Sequence, residues 1–161
     1  KLLKDKKIID IILFGSFVKG KITPRDIDIA IISEQPFKEE VDGFHISYLK
    51  PSDFFINPPT IITTLMKEGY SLRANKSFAE VFRYKSKILF IYNLAGLKNS
   101  EKVKIVNFLR GKNGNSGMVK DNRGEWLANN IFLLPLDSEY VFEKFFIFHK
   151  AKFKKLNLLV N

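Results

Sequence analysis

The chain has 161 residues, 27 Lys and Arg against 17 Asp and Glu, a formal charge of +10 and a pI near 9.7. Its 45% hydrophobic content, with 16 Phe, is enough to build a core and excludes a disordered chain. The absence of cysteine excludes disulfides and thiolate metal sites; no run is long or apolar enough to span a bilayer and no secretory leader is visible, so the expected setting is cytoplasmic.

In chain order, Ile8 to Phe14 is a β-branched-rich run broken only by Asp10. It is too short for a typical core helix and is predicted to be a buried strand. Gly15-Ser16 should turn the chain and begin a short helix, and Asp26 to Ile32 should form the next strand. Residues i and i+2 of a strand share a face, with backbones about 7 Å apart. Asp26 and Asp28 thus form an acidic pair, with Ile27, Ile29 and Ile31 facing the other way. Two readings stand at this point. The pair holds a cation, or it consists of turn and edge residues neutralised by Lys19, Lys21 and Arg25. Gly15-Ser16 is either an ordinary cap or a turn whose NH groups approach phosphate closely. The two features are complementary, because Mg²⁺ is usually held by one or two carboxylates together with phosphate oxygens.

Gly43 to Leu49 is the third predicted strand. Pro51, Pro58 and Pro59 bracket the entry to a helix from Thr60 to Lys67, and Arg73 to Ser77 is the expected linker. Beyond it the pattern predicts a strand Lys87 to Tyr92, a helix from Ser100 to Leu109, and a glycine-rich surface loop Gly111 to Gly117. A strand Ile131 to Leu134, a helix capped by Asp137 or Ser138 and running toward Lys150, and a strand Lys152 to Val160 complete it. This is a small βαβαβ unit. Gly111 to Gly117 lacks the Lys-Ser/Thr ending and the preceding strand of a phosphate loop, although Lys112 and Lys120 are placed to touch RNA phosphates. Lys144, Lys150, Lys152, Lys154 and Lys155 surround Phe145, Phe146, Phe148 and Phe153. Such a mixture is either a stacking surface for single-stranded nucleic acid or, more simply, the core face of a helix and a strand. The basic charge favours anionic partners such as nucleotides or RNA, though a Lys-rich surface also serves solubility.

The segment ILFGSFVKGKITPRDIDIAII, Ile12 to Ile32, resembles the signature of the small nucleotidyltransferases of the DNA polymerase β superfamily: apolar strand, Gly-Ser, short helix, then Asp-x-Asp on the next strand. Leu65-Met66-Lys67-Glu68-Gly69-Tyr70-Ser71-Leu72 is similar to the helix-ending segment that closes the minimal domain. The resemblance covers residues 1–73 and implies an α/β (α+β) polymerase-β-like sheet with flanking helices; the small C-terminal βαβαβ domain over 74–161 rests on the pattern of its own residues.

That resemblance implies transfer of a nucleoside monophosphate from a nucleoside triphosphate, ATP being the expected donor, to an acceptor hydroxyl on RNA, a small molecule or a protein. Asp26 and Asp28 would ligate Mg²⁺ or Mn²⁺. Gly15 and Ser16 would hold the β and γ phosphates, with Lys19 and Arg25 as auxiliary contacts and Lys21 the weaker candidate. The family usually places a third carboxylate on the following strand. Aligning Leu49 with the end of that strand puts His45 at this position, whereas Asp42, three residues earlier, falls on the opposite face. His45 is a metal ligand, a base, or a strand histidine with a satisfied ring nitrogen. Besides the enzyme, a catalytically silent nucleotide- or RNA-binding protein on the same fold and a structural subunit stand as alternatives.

Overall fold

The computed structural model describes residues 5–35, 41–112 and 114–161. The chain forms two compact units, Lys1–Ser86 with Leu159–Asn161, and Lys87–Leu158.

In the first unit β1 (Ile8–Phe14) and β2 (Ile27–Ser33) run antiparallel, and β3 (Phe44–Leu49) lies parallel to β2. Helix α1 (Thr60–Glu68) precedes two short strands, β4 (Tyr70–Ser71) and β5 (Lys76–Ser77), and the single-turn helix α2 (Phe78–Val81). The mixed sheet has the order β3-β2-β1-β4-β5. Its two faces sort the apolar residues by period. Ile12, Ala30, Ile32 and Leu49 gather with Ile62 and Leu65 of α1 and Phe78 of α2, while Ile29 and Ile31 join Ile8 and Ile11 on the other side. Ile8 and Ile11 share a face despite their odd spacing because the ladder shifts between Ile8 and Asp10.

The interruption at Asp10 has a structural cause. Its carboxylate accepts hydrogen bonds from Ser71 Oγ at 2.6 Å and from the backbone NH of Arg73 at 3.2 Å, while Arg73 Nη2 donates to the Ile8 carbonyl at 2.8 Å. The segment after α1 is thereby latched to β1. At Gly69 an added Cβ would lie 2.4 Å from the Leu65 carbonyl oxygen and 2.7 Å from Ile12 Cγ2, so only glycine lets the end of α1 approach β1 this closely.

The second sheet has the order β7-β8-β6-β9. It comprises β6 (Lys85–Asn93), β7 (Glu125–Ala128), β8 (Ile131–Pro135) and β9 (Lys152–Val160), with β8 antiparallel to β6 and to β7. Among the described residues the α-helices α3 (Asn99–Arg110), α4 (Gly117–Asp121) and α5 (Glu139–Phe148) accompany it. The unit is therefore an antiparallel sheet with added elements rather than the simple βαβαβ alternation. Strand β7 escapes the pattern because it is short and mostly exposed, and helix α4 because it is little more than one turn long, which leaves no periodic apolar signal.

Phe90, Phe132, Phe142 and Phe146 are buried at the centre of this unit, and Phe145 and Phe153 pack against them. The core-face reading of this aromatic cluster is the one the structure shows, with only Phe148 strongly exposed. Lys155 is committed too: its ammonium pairs with Glu139 and Glu143. Burial depresses the Lys155 pKa, but hydrogen bonds and charge attraction to the two carboxylates outweigh it and leave the group above its ordinary 10.5.

The predicted loop is closed at its neck by its own glycines. A Cβ on Gly111 would lie 1.9 Å from the Asn115 carbonyl oxygen, and one on Gly117 would lie 2.2 Å from the Gly111 nitrogen, with φ of +86° and +77°. Both the positive φ and the contact exclude a side chain. Among the described residues no helix is long and apolar enough to cross a membrane.

Candidate nucleotidyl-transfer site

Strand β1 ends at Phe14, which pairs with Asp28. The chain then turns at Gly15, whose φ is +75°. The glycine is required twice, because a Cβ there would lie 2.2 Å from Asp28 Oδ2, inside any permitted contact. The Gly-Ser bend and the acidic strand therefore meet at one point.

Residues 15–20 form a run of turns, not the short helix expected from sequence. The NH of Gly20 donates to the Phe17 carbonyl at 3.1 Å, and the NH of Lys21 to the Ser16 carbonyl at 3.1 Å. Gly20, at φ +90°, leaves the helical region after only three intervening residues, and Pro24 follows closely. No helix dipole is then available at Ser16. Backbone NH groups of the turn are what the bend offers an anion.

The parallel register pairs Asp28 directly with His45, and the two side chains touch, His45 Nδ1 lying 3.2 Å from Asp28 Oδ1. The Asp28 side chain is 29% exposed and that of His45 is 73% exposed. Asp28 thus sits at the rim of the sheet, approached by Gly15 from β1 and by His45 from β3. Asp26 is exposed and precedes the first residue of β2, past the last rung of the β1–β2 ladder. Arg25 beside it is exposed as well. Asp42 lies in the turn ahead of β3, exposed, where the Gly43 carbonyl accepts the Ile27 NH at 3.0 Å.

Lys19 does not project freely. Its Nζ lies 2.7 Å from Glu68 Oε1 at the end of α1. Glu68 is buried, and its need for a cation commits Lys19 to holding the turn against the helix. Sequence reasoning missed this partner, although an acid just before the helix-ending glycine was its visible trace.

Among the described residues no three His, Cys, Asp or Glu side chains gather into a cage for a metal. The donor set still suits a hard cation of the Mg²⁺ type, which takes one or two carboxylates and completes its shell with substrate phosphate and water. The missing side chain at Gly15 lets Asp28 Oδ2 sit directly against the backbone of the bend, so the carboxylate and the turn NH groups lie side by side.

Residues 1–123 match the family model described as nucleotidyltransferase domain, which is more than half of the chain. The protein belongs to that family. Its mixed sheet with flanking helices agrees with the fold, and membership implies nucleotidyl transfer with a nucleoside triphosphate substrate and a divalent metal. No curated protein and no solved structure matches the chain.

Proposed function

We propose that this protein is a Mg²⁺- or Mn²⁺-dependent enzyme that moves a nucleoside monophosphate from a triphosphate, ATP first among them, to an acceptor hydroxyl on RNA, a small molecule or a protein. The observation that carries this reading is the contact of Gly15 with Asp28, which unites a phosphate-approachable bend with a carboxylate. Asp28 and Asp26 hold the metal. When bound, the ion neutralises the triphosphate and the developing charge on the leaving pyrophosphate.

The chain's own groups do the rest. The NH groups around Gly15 and Ser16 orient the β and γ phosphates, and Arg25, exposed beside Asp26, adds a cation. Lys19 contributes by fixing the turn through Glu68. His45 stands at the position expected of a third carboxylate. Donation of its Nδ1–H to Asp28 selects the tautomer whose Nε2 lone pair faces outward. Nε2 then takes the proton of the attacking hydroxyl, and the resulting imidazolium is stabilised by the Asp28 carboxylate.

A second reading, a catalytically silent nucleotide- or RNA-binding protein, is favoured by the histidine, His45, that faces Asp28 where the family usually has a carboxylate. Incubation with α-labelled triphosphate, Mg²⁺ and cellular RNA or protein separates the two. Label transfer that disappears in Asp28→Asn supports the enzyme. Metal-dependent binding without transfer supports the silent protein, and triphosphate binding unchanged in both Asp26→Asn and Asp28→Asn removes these residues from the mechanism.

A further inference from the structure

The second unit contains a cavity of about 580 Å³ between the C-terminal turn of α3, the glycine-necked loop and α4. Its volume lies in the range of roughly 300–1,000 Å³ typical of small-ligand sites. All of its lining residues lie between Asn107 and Asn122, so it forms within this unit alone.

One wall is Phe108, 58% exposed. Its ring stacks on Phe145 at 5.2 Å with 15° between planes, and Phe145 in turn touches the buried Phe146 at 5.5 Å. Phe108 is thus a ring fixed from behind by the core and left open in front. An aromatic surface held flat and wet gains by stacking a second π-system.

The polar lining has a definite character. Ser116 Oγ bonds Asp121 Oδ1, and Asn122 Nδ2 donates to the Met118 carbonyl at 2.8 Å. Each bond commits one polar atom and leaves its neighbour, Asp121 Oδ2 or Asn122 Oδ1, as an acceptor. Lys112 supplies a cation at the same cavity. A platform, a set of acceptors and a cation match a nucleotide whose base carries amino donors and whose phosphate carries charge. Uracil, without an exocyclic amine, fits this acceptor set least.

We infer that this cavity is a second nucleotide-binding site, selective for an amino-bearing base stacked on Phe108 and read by Asp121 and Asn122. The occupant is a nucleotide unit, either free or within single-stranded RNA. The site works without metal and without Asp28, and so goes beyond the proposed transfer reaction.

The test uses the full chain in EDTA, which silences metal-dependent binding. Fluorescence anisotropy is measured with labelled single strands of about six nucleotides of A, C or U, and calorimetry with the mononucleotides. The expected result is tighter binding of A and C strands than of U. Phe108→Ala and Phe108→Leu should each weaken binding about tenfold or more, equivalent to about 1.4 kcal/mol. Phe108→Leu preserves packing on Phe145 and so guards against misfolding. Asp121→Asn should erase the preference over U, and Asp28→Asn should bind as wild type. Mononucleotide binding identifies a free ligand, and strand binding alone identifies RNA. The inference is overturned if wild type binds nothing in EDTA, or if the Phe108 and Asp121 variants bind like wild type. Metal-dependent triphosphate binding, measured separately, stays intact in the Phe108 variants whichever way this test falls.

Discussion

Gly15→Ala probes the centre of the proposed transfer site. Alanine at φ +75° bears the left-handed strain of about 1–2 kcal/mol. Its Cβ would also start 2.2 Å from Asp28 Oδ2, where real contacts stay beyond 3.0 Å. The carboxylate must therefore retreat by about 0.8 Å, while Mg²⁺ tolerates little departure from bonds of about 2.0–2.1 Å. A displacement near 1 Å at a reacting centre costs about a hundredfold in rate. The expected outcome is thus a small stability loss, a few degrees in melting temperature, beside a rate loss of about a hundredfold and weaker Mn²⁺ binding by calorimetry. Asp28→Asn combined with Gly15→Ala should be no slower than Asp28→Asn alone, because both act through one carboxylate. Transfer within twofold of wild type in Gly15→Ala, at reduced stability, would refute the coupling.

Other expectations follow from the same geometry. His45→Ala should lower transfer by about a hundredfold, in the range of a lost general base, while triphosphate affinity measured by calorimetry changes little. Lys155→Met leaves the Glu139 carboxylate, whose side chain is 1% exposed, with a charge no ammonium answers. Its cost is about 2 kcal/mol by denaturant titration, below the ~3–5 of a fully buried pair because Lys155 itself is partly solvated. In the wild type, Lys155 stands above its ordinary 10.5, and burial holds the Tyr92 phenol above its ordinary 10.0 against the lowering influence of Arg110. Raised folded values mean stability that is complete below these ordinary values and lost as pH rises through the folded ones, so melting temperature should fall from about pH 10 upward. Gly117→Ala should destabilise the second unit by more than about 2 kcal/mol, since strain and a backbone collision add, as read by Trp fluorescence during urea unfolding.

Legibility varied with the kind of information each part required. Strand β1 follows from its apolar run, β2 and the last strand Lys152–Val160 from alternation, and α1 and α5 from their starts, after Pro58-Pro59 and at Asp137 or Ser138. His45 was placed near the acidic strand only by the family resemblance, and its direct pairing with Asp28 comes from the parallel register of β2 and β3, which the sequence does not state. The turn after Ser16 was less visible, because a helix and a series of turns share the same residues and only Gly20 decides between them. Lys19 could not be assigned locally. Its partner Glu68 is far away in sequence, and a long-range ion pair leaves no periodic trace. Strands β4 and β5 are two residues each, below any pattern, and depend on the Asp10 latch for their place. The nucleotide-sized cavity was hidden because its glycines look like those of any surface loop until their backbones are seen in contact.

The single tryptophan of the chain, Trp126, makes T-shaped ring contacts with Tyr92 and Phe132 and has the Arg110 guanidinium 4.0 Å from its ring centre. All four residues belong to the second unit, so the indole is a built-in optical gauge for that half alone. A melting step seen in far-ultraviolet dichroism yet silent at the indole belongs to the half carrying Asp28, and no label need be attached to tell them apart.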